Sequence, residues 1–99
     1  MKAQKFIIND GCLIMGQVEI HKDLVQGRDE GKTIGGGRWH IDDLNPNIIY
    51  FYGSSIDFGK VTREQFDAAY KQSSLSKFTI IFSEKEYMSD VIKEQLIKK

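Results

Sequence analysis

Hydrophobic and polar positions change their spacing several times along the chain, and each change marks an element. Lys5 to Ile8 is a short β-rich run that ends at Asn9-Asp10-Gly11, a hairpin signal. Cys12 to Met15 reads as the returning strand. From Ile20 the period lengthens: His21, Leu24, Val25 and Arg28 stand at i, i+3, i+4, i+7, which predicts one face of a short helix, without a strong capping residue before it. The charged, glycine-bearing stretch Gly27 to Lys32 is a loop, and a strand is expected from about Thr33 to Ile41. Residues 42 to 47, Asp-Asp-Leu-Asn-Pro-Asn, are turn chemistry throughout. Ile48 to Tyr52 is apolar without alternation, the pattern of a central strand covered on both faces.

The second half carries clearer boundaries. Thr62-Arg63-Glu64-Gln65 is a capping box, with Val61 and Phe66 placed as its hydrophobic staple. Phe66, Ala69, Tyr70 and Ser73 continue one helical face. Phe78 to Phe82 predicts another strand. Ser83-Glu84-Lys85-Glu86 reads as a second capping box with Phe82 and Tyr87 as staple, opening a final helix over residues 84–98 whose face holds Met88, Val91, Ile92 and Gln95 or Leu96. A hairpin at the start and helices mixed with strands later favour an α+β fold, a single mixed β-sheet with helices packed on it.

Composition narrows the class of function. The 99 residues suit one domain, 1–99, with a modest core. Fourteen basic residues balance fourteen acidic ones, so charge makes no case for nucleic acid or for an anionic membrane as partner. No apolar stretch approaches the roughly 20 residues that cross a bilayer, and Met1 to Lys5 leads straight into a strand with no signal-peptide core. Cys12 is the one cysteine. It is expected to be a small buried hydrophobe in a reducing, cytoplasmic setting.

The candidate chemistry sits between residues 20 and 59. Gly35-Gly36-Gly37 inside a strand weakens it, and marks either a bend or a close approach to the backbone. The turn Gly53-Ser54-Ser55-Ile56-Asp57-Phe58-Gly59 is either a plain connection or a nest of N–H groups for an anion. Arg38 is a surface charge or a phosphate partner. His21 is a surface residue, a general base or a metal ligand. With His40 the only other histidine and no companion at ligand spacing, no metal site and no cofactor are expected. No nucleophile-elbow pattern supports Ser-His-Asp chemistry.

Taken in order and with their gaps, Lys5-Phe6, Ile20-His21-Lys22-Asp23-Leu24, Gly35-Gly36-Gly37-Arg38 and Tyr52-Gly53-Ser54-Ser55-Ile56-Asp57-Phe58-Gly59 resemble the Janus/Ocnus family of small phosphohistidine phosphatases. The resemblance runs over residues 5–82 and leaves the final helix outside it. It implies a catalytic role for His21, and phosphate binding by Lys5, Arg38, Ser55 and the turn N–H groups at Ser55, Ile56 and Asp57. The implied function is metal-independent hydrolysis of a P–N bond, the partner being a phosphohistidine-containing protein or a small phosphoramidate. The alternative is a non-catalytic phosphate- or phosphoprotein-binding module of the same fold. Three positions depart from the family: Ile20 replaces an aromatic residue, Ile56 a methionine, and Asp57 a small residue. A carboxylate at 57 repels a phosphate dianion unless it points away, and an outward side chain is the expectation there.

Overall fold

Asp10 and Gly11 carry the first turn, both in the left-handed region with φ of 51° and 78°. That is the backbone of a two-residue type I′ loop, whose twist matches that of paired strands. Asn9 therefore pairs with Cys12, and β1 (Ala3–Asn9) runs antiparallel to β2 (Cys12–Val18). The computed structural model describes residues 2–97. In it β3 (Thr33–Ile41) lies antiparallel on the other side of β1, and β4 (Ile48–Tyr52) lies antiparallel to β3. β5 (Thr79–Phe82) is parallel to β4, because α1 (Arg63–Lys71) carries the chain back to the same end of the sheet. The result is α+β with one mixed sheet in the order β2-β1-β3-β4-β5.

The sheet has two unlike faces. On the first, Phe6, Ile8, Ile49, Phe51 and Phe82 meet Phe66 and Ala69 of α1, with Val61 beneath the helix start. The rings interlock edge to face, with centroids of Phe6 and Phe51 5.2 Å apart, or stack, with those of Phe66 and Phe82 4.7 Å apart. Contacts of this kind add about 0.5–1.5 kcal/mol each to the burial itself. The capping box that starts α1 is formed in both directions: Gln65 N–H donates to Thr62 Oγ1 at 3.1 Å, and Thr62 N–H donates to Gln65 Oε1 at 3.0 Å.

The second face is covered more thinly. Ile7 packs under Leu24 and Val25, and Leu24 fits only because Gly16 has no side chain: a Cβ there would lie 2.8 Å from Leu24 Cδ2. The expected helix over His21 to Arg28 is in fact a single 3₁₀ turn, His21–Leu24. No side chain caps its start, and the chain leaves it through Gln26 and Gly27 with φ of 39° and 82°, so the turn cannot propagate. β4 is likewise not covered on both sides. Ile49 and Phe51 are buried, while Ile48, Tyr50 and Tyr52 on the other face are half-buried.

The last helix, α2, spans Met88–Ile97 and starts later than the second capping box predicts. Ser83 is buried and its N–H extends the pairing to the Phe51 carbonyl, so it belongs to the strand end. Its Oγ accepts from Lys85 N–H, and the Glu86 carboxylate is drawn away to Ser54. Tyr87 is exposed and staples nothing. Residue 98, the expected end of this helix, lies outside the described residues. Cys12 is exposed at the tip of the first hairpin, where only two paired strands surround it, rather than buried. No described helix is long and apolar enough to cross a membrane.

Candidate functional site

Lys5 and Arg38 stand directly opposite each other in the β1–β3 ladder, so both side chains rise from the thinly covered face. Neighbouring like charges at such a position are unfavourable unless an anion lies between them. Lys5 is held at two points. Its Nζ donates to the Glu19 carbonyl, and its own carbonyl accepts from Trp39 Nε1 at 3.1 Å. Arg38 is exposed and forms no ion pair among the described residues.

His21 is set beside them by the glycines. It opens the 3₁₀ turn and is only 5% exposed. A Cβ at Gly36 would lie 3.1 Å from its Cδ2 and 2.4 Å from the Phe6 carbonyl oxygen, so the ring occupies space that any other residue would fill. A Cβ at Gly37 would lie 2.3 Å from the Tyr52 carbonyl oxygen. The three glycines thus admit parts of the protein itself: the imidazole and the neighbouring chain. The backbone N–H of Gly36 is already bonded to the Gly59 carbonyl at 3.1 Å.

The imidazole has a defined tautomer. His21 Nε2 lies 2.8 Å from the Gly37 carbonyl oxygen, which can only accept, so Nε2 carries the hydrogen and Nδ1 keeps its lone pair in the neutral ring. Burial pushes the imidazole below its ordinary pKa. The Gly37 bond and the Asp57 carboxylate oppose that shift, and Lys5 and Arg38 reinforce it. The net effect favours the uncharged imidazole.

The third wall is the turn after β4. Gly53 enters it with φ of 78° and Gly59 leaves with φ of 84°. Ser55 and Gly59 close it as a bridge, with Ser55 N–H donating to Gly59 O at 3.1 Å and Gly59 N–H to Ser55 O at 2.8 Å. Ser55 Oγ accepts from Phe58 N–H at 3.1 Å, and the residue is buried. Both the N–H and the hydroxyl oxygen of Ser55 therefore hold the turn together. Among the described residues the N–H groups of Ile56 and Asp57 at the tip have no partner.

Lys5, Ile20, His21, Arg38, Ser54, Ile56 and Asp57 line one cavity of about 130 Å³. That is well below the size that takes a drug-like molecule and suits a group as small as a phosphoryl. Asp57 does not point away from it. Its Oδ2 accepts from Lys22 N–H at 3.4 Å, which lays the carboxylate between the turn and the start of the 3₁₀ turn, beside His21. Ser54 rather than Ser55 lines the cavity, and its hydroxyl donates to Glu86 Oε1 at 2.6 Å. Sequence reasoning names Ser54 and Ser55 as possible hydroxyl donors, assigns the phosphate-binding role to Ser55, and misses Glu86. The Tyr-Gly-x-Ser pattern drew attention to Ser55, and Glu86 carried a plausible local role in a capping box.

His40 lies elsewhere, 3.4 Å from Asp43 Oδ1 and next to Tyr50. Asp42 there has its carboxyl held below the usual range by hydrogen bonds from Leu44 N–H, the Tyr50 hydroxyl and Asn45 N–H, and so caps the turn into β4. A larger cavity, about 500 Å³, borders α2, but it mixes Lys85 and Lys93 with Asp90 and Glu94 and collects no reactive group. Among the described residues no three His, Cys, Asp or Glu side chains are grouped to hold a metal. Compared with protein-family models, curated proteins and solved structures, the chain finds no match.

Proposed function

We propose that the chain is a metal-independent protein phosphohistidine phosphatase, acting on a phosphohistidine-containing protein or a small phosphoramidate. The observation that carries this reading is the Lys5–Arg38 pair, two cations opposed across a ladder and facing the same small cavity as a histidine oriented by the Gly37 carbonyl. An anion placed there removes the repulsion between the two side chains and meets the free N–H groups of Ile56 and Asp57.

In that reading a water attacks phosphorus in line with the P–N bond. Its proton passes to His21 Nδ1, the P–N electron pair goes to the departing nitrogen, and phosphate is left in the cradle. Lys5, Arg38 and the turn N–H groups hold charge on the phosphoryl oxygens throughout. The Gly37 carbonyl keeps the ring in the tautomer that can accept the proton, as a carboxylate does for histidines in other sites. The labile P–N bond asks mainly for positioning, which the rigid cross-strand and turn geometry supplies.

The test is release of phosphate from a phosphohistidine peptide. His21→Ala is expected to lower turnover by about 10²- to 10⁴-fold, the usual worth of a general base, with an unchanged circular dichroism spectrum. A folded His21→Ala protein that keeps the wild-type rate removes the histidine from the chemistry. One observation favours a second reading, a non-catalytic phosphate- or phosphoprotein-binding module: a carboxylate, Asp57, stands at the cavity. That module binds phosphate in calorimetry and releases none from the peptide.

A further inference from the structure

The cavity is not uniformly positive. Lys5 and Arg38 rise from the sheet on one side, while Asp57 hangs from the turn on another, beside His21 and the start of the 3₁₀ turn. A site for a plain phosphate dianion gains nothing from a carboxylate, because like charges at contact distances repel. A charge pair of opposite signs inside about 130 Å³ suits a ligand that is itself divided in charge.

Resting on the function proposed above, we infer that Asp57 is a specificity-determining residue that selects zwitterionic phosphoramidates, a phosphoryl group bonded to a protonated nitrogen base, over phosphate monoesters. The phosphoryl oxygens face Lys5, Arg38 and the N–H groups of Ile56 and Asp57. The cationic nitrogen group of the same molecule faces the Asp57 carboxylate. A phosphate monoester has no such cation and meets the carboxylate only as a repulsion.

The charge division also fits the bond that breaks. A neutral nitrogen base is a far better leaving group than its anion, so P–N cleavage requires the departing base to carry a proton before or as the bond breaks. With Asp57 favouring the protonated form, water adds to phosphorus, its proton goes to His21 Nδ1, and the P–N pair returns to a base that already holds its proton. The base departs neutral. Asp57 accepts no proton in this sequence and supplies no electrons; it holds the cation in place through charge.

The other positions that face the carboxylate are compatible with this role. Lys22 contributes its backbone N–H, which leaves Oδ1 and the second lone pairs of Oδ2 for a ligand. The Lys22 side chain turns to Glu30 at 3.7 Å and does not neutralise Asp57. Ser54 is tied to Glu86.

Two probes of nearly equal size separate the idea from simple anion binding: inorganic phosphate, and the phosphoramidate ion, whose nitrogen is protonated at neutral pH. Affinities are measured by calorimetry on the His21→Ala protein, which does not consume the probe, with and without Asp57→Asn. With Asp57 present, phosphoramidate is expected to bind on the order of tenfold more tightly than phosphate, and Asp57→Asn is expected to abolish that preference while leaving phosphate binding equal or tighter. In the otherwise wild-type protein, Asp57→Asn lowers kcat/KM on a phosphohistidine peptide relative to phenyl phosphate by a similar factor. Equal losses for both probes mean that Asp57 only braces the turn through Lys22, and equal gains mean that it only repels; either overturns the inference. Preference for phosphoramidate without turnover of any phosphohistidine peptide keeps the inference and removes the phosphatase reading. Failure of both probes to bind removes both.

Discussion

At the scale of single residues, His21 is the group whose state decides the chemistry in the proposed function. Burial lowers its pKa, and Lys5 and Arg38 act in the same direction, against the Gly37 hydrogen bond and Asp57. A general base must be unprotonated, so kcat/KM is expected to rise with pH along a limb centred below 6.5 and to stay level above it. A pH profile on a phosphohistidine peptide checks this, and a limb centred above 7 means that the Gly37 hydrogen bond and Asp57, not burial, govern the ring. The same shift acts on stability. The unfolded chain takes up a proton at the ordinary histidine value while the folded ring resists it, so stability is lost as pH falls through the window that opens at 6.5. Urea titrations across that window should show the slope, and His21→Gln should remove this contribution to it.

At the scale of elements, the turn over residues 53–59 is not held by its own bonds alone. The segment between β5 and α2 clamps it: Gly53 N–H donates to the Lys85 carbonyl at 2.8 Å, Ser54 Oγ to Glu86 Oε1 at 2.6 Å, and Lys60 Nζ to the Glu84 carbonyl, with Glu86 Oε2 4.0 Å from Lys60. The turn N–H groups at Ile56 and Asp57 therefore owe their position partly to a segment that does not itself line the cavity. Glu86→Ala is expected to raise KM several-fold, roughly 1 kcal/mol, with a smaller effect on kcat, because it loosens a binding element without touching the base. Glu86→Gln keeps an acceptor for Ser54 and should recover most of the loss. Steady-state kinetics on the three proteins decides it, and an unchanged KM in Glu86→Ala detaches the clamp from the site.

At the scale of the whole molecule, the two faces of the sheet divide the work. Phe6, Ile7 and Ile8 of β1 are exposed by 1% or less, with strands on both sides and side chains packed above and below. α2 buries only Val91 and leaves Ile92, Leu96 and Ile97 exposed. Amide exchange is expected to be slowest in β1 and fastest, among the described strands and helices, in α2, and its rates should track this difference in burial. Rapid exchange in β1 would mean that the α1 face is not the stabilising core. The site lies on the thinly covered face, where a 3₁₀ turn in place of a full helix leaves room for a cavity between strand, turn and loop.

Features whose cause is local can be read directly from the order of residues. Asp10-Gly11 dictates a two-residue turn because both residues tolerate positive φ, and Thr62 to Gln65 dictates a helix start because its hydrogen bonds close within four residues. The five strands and the α+β class follow from period and boundary residues of the same kind. The second capping box has the same local pattern, and it failed because Ser83 continued the pairing to Phe51 and Glu86 was taken by Ser54, partners 32 residues or so away. Cys12 was misjudged for a related reason: its exposure depends on what covers a hairpin tip, not on its neighbours in sequence. The site was legible only as a set of residue types. That Lys5 faces Arg38 was decided by strand register, that the glycines make room for His21 and the neighbouring chain by the packing of separate elements, and that Asp57 turns into the cavity by the meeting of the turn with Lys22. Each of these joins atoms far apart along the chain, and such contacts exist only once the tertiary structure has brought them together.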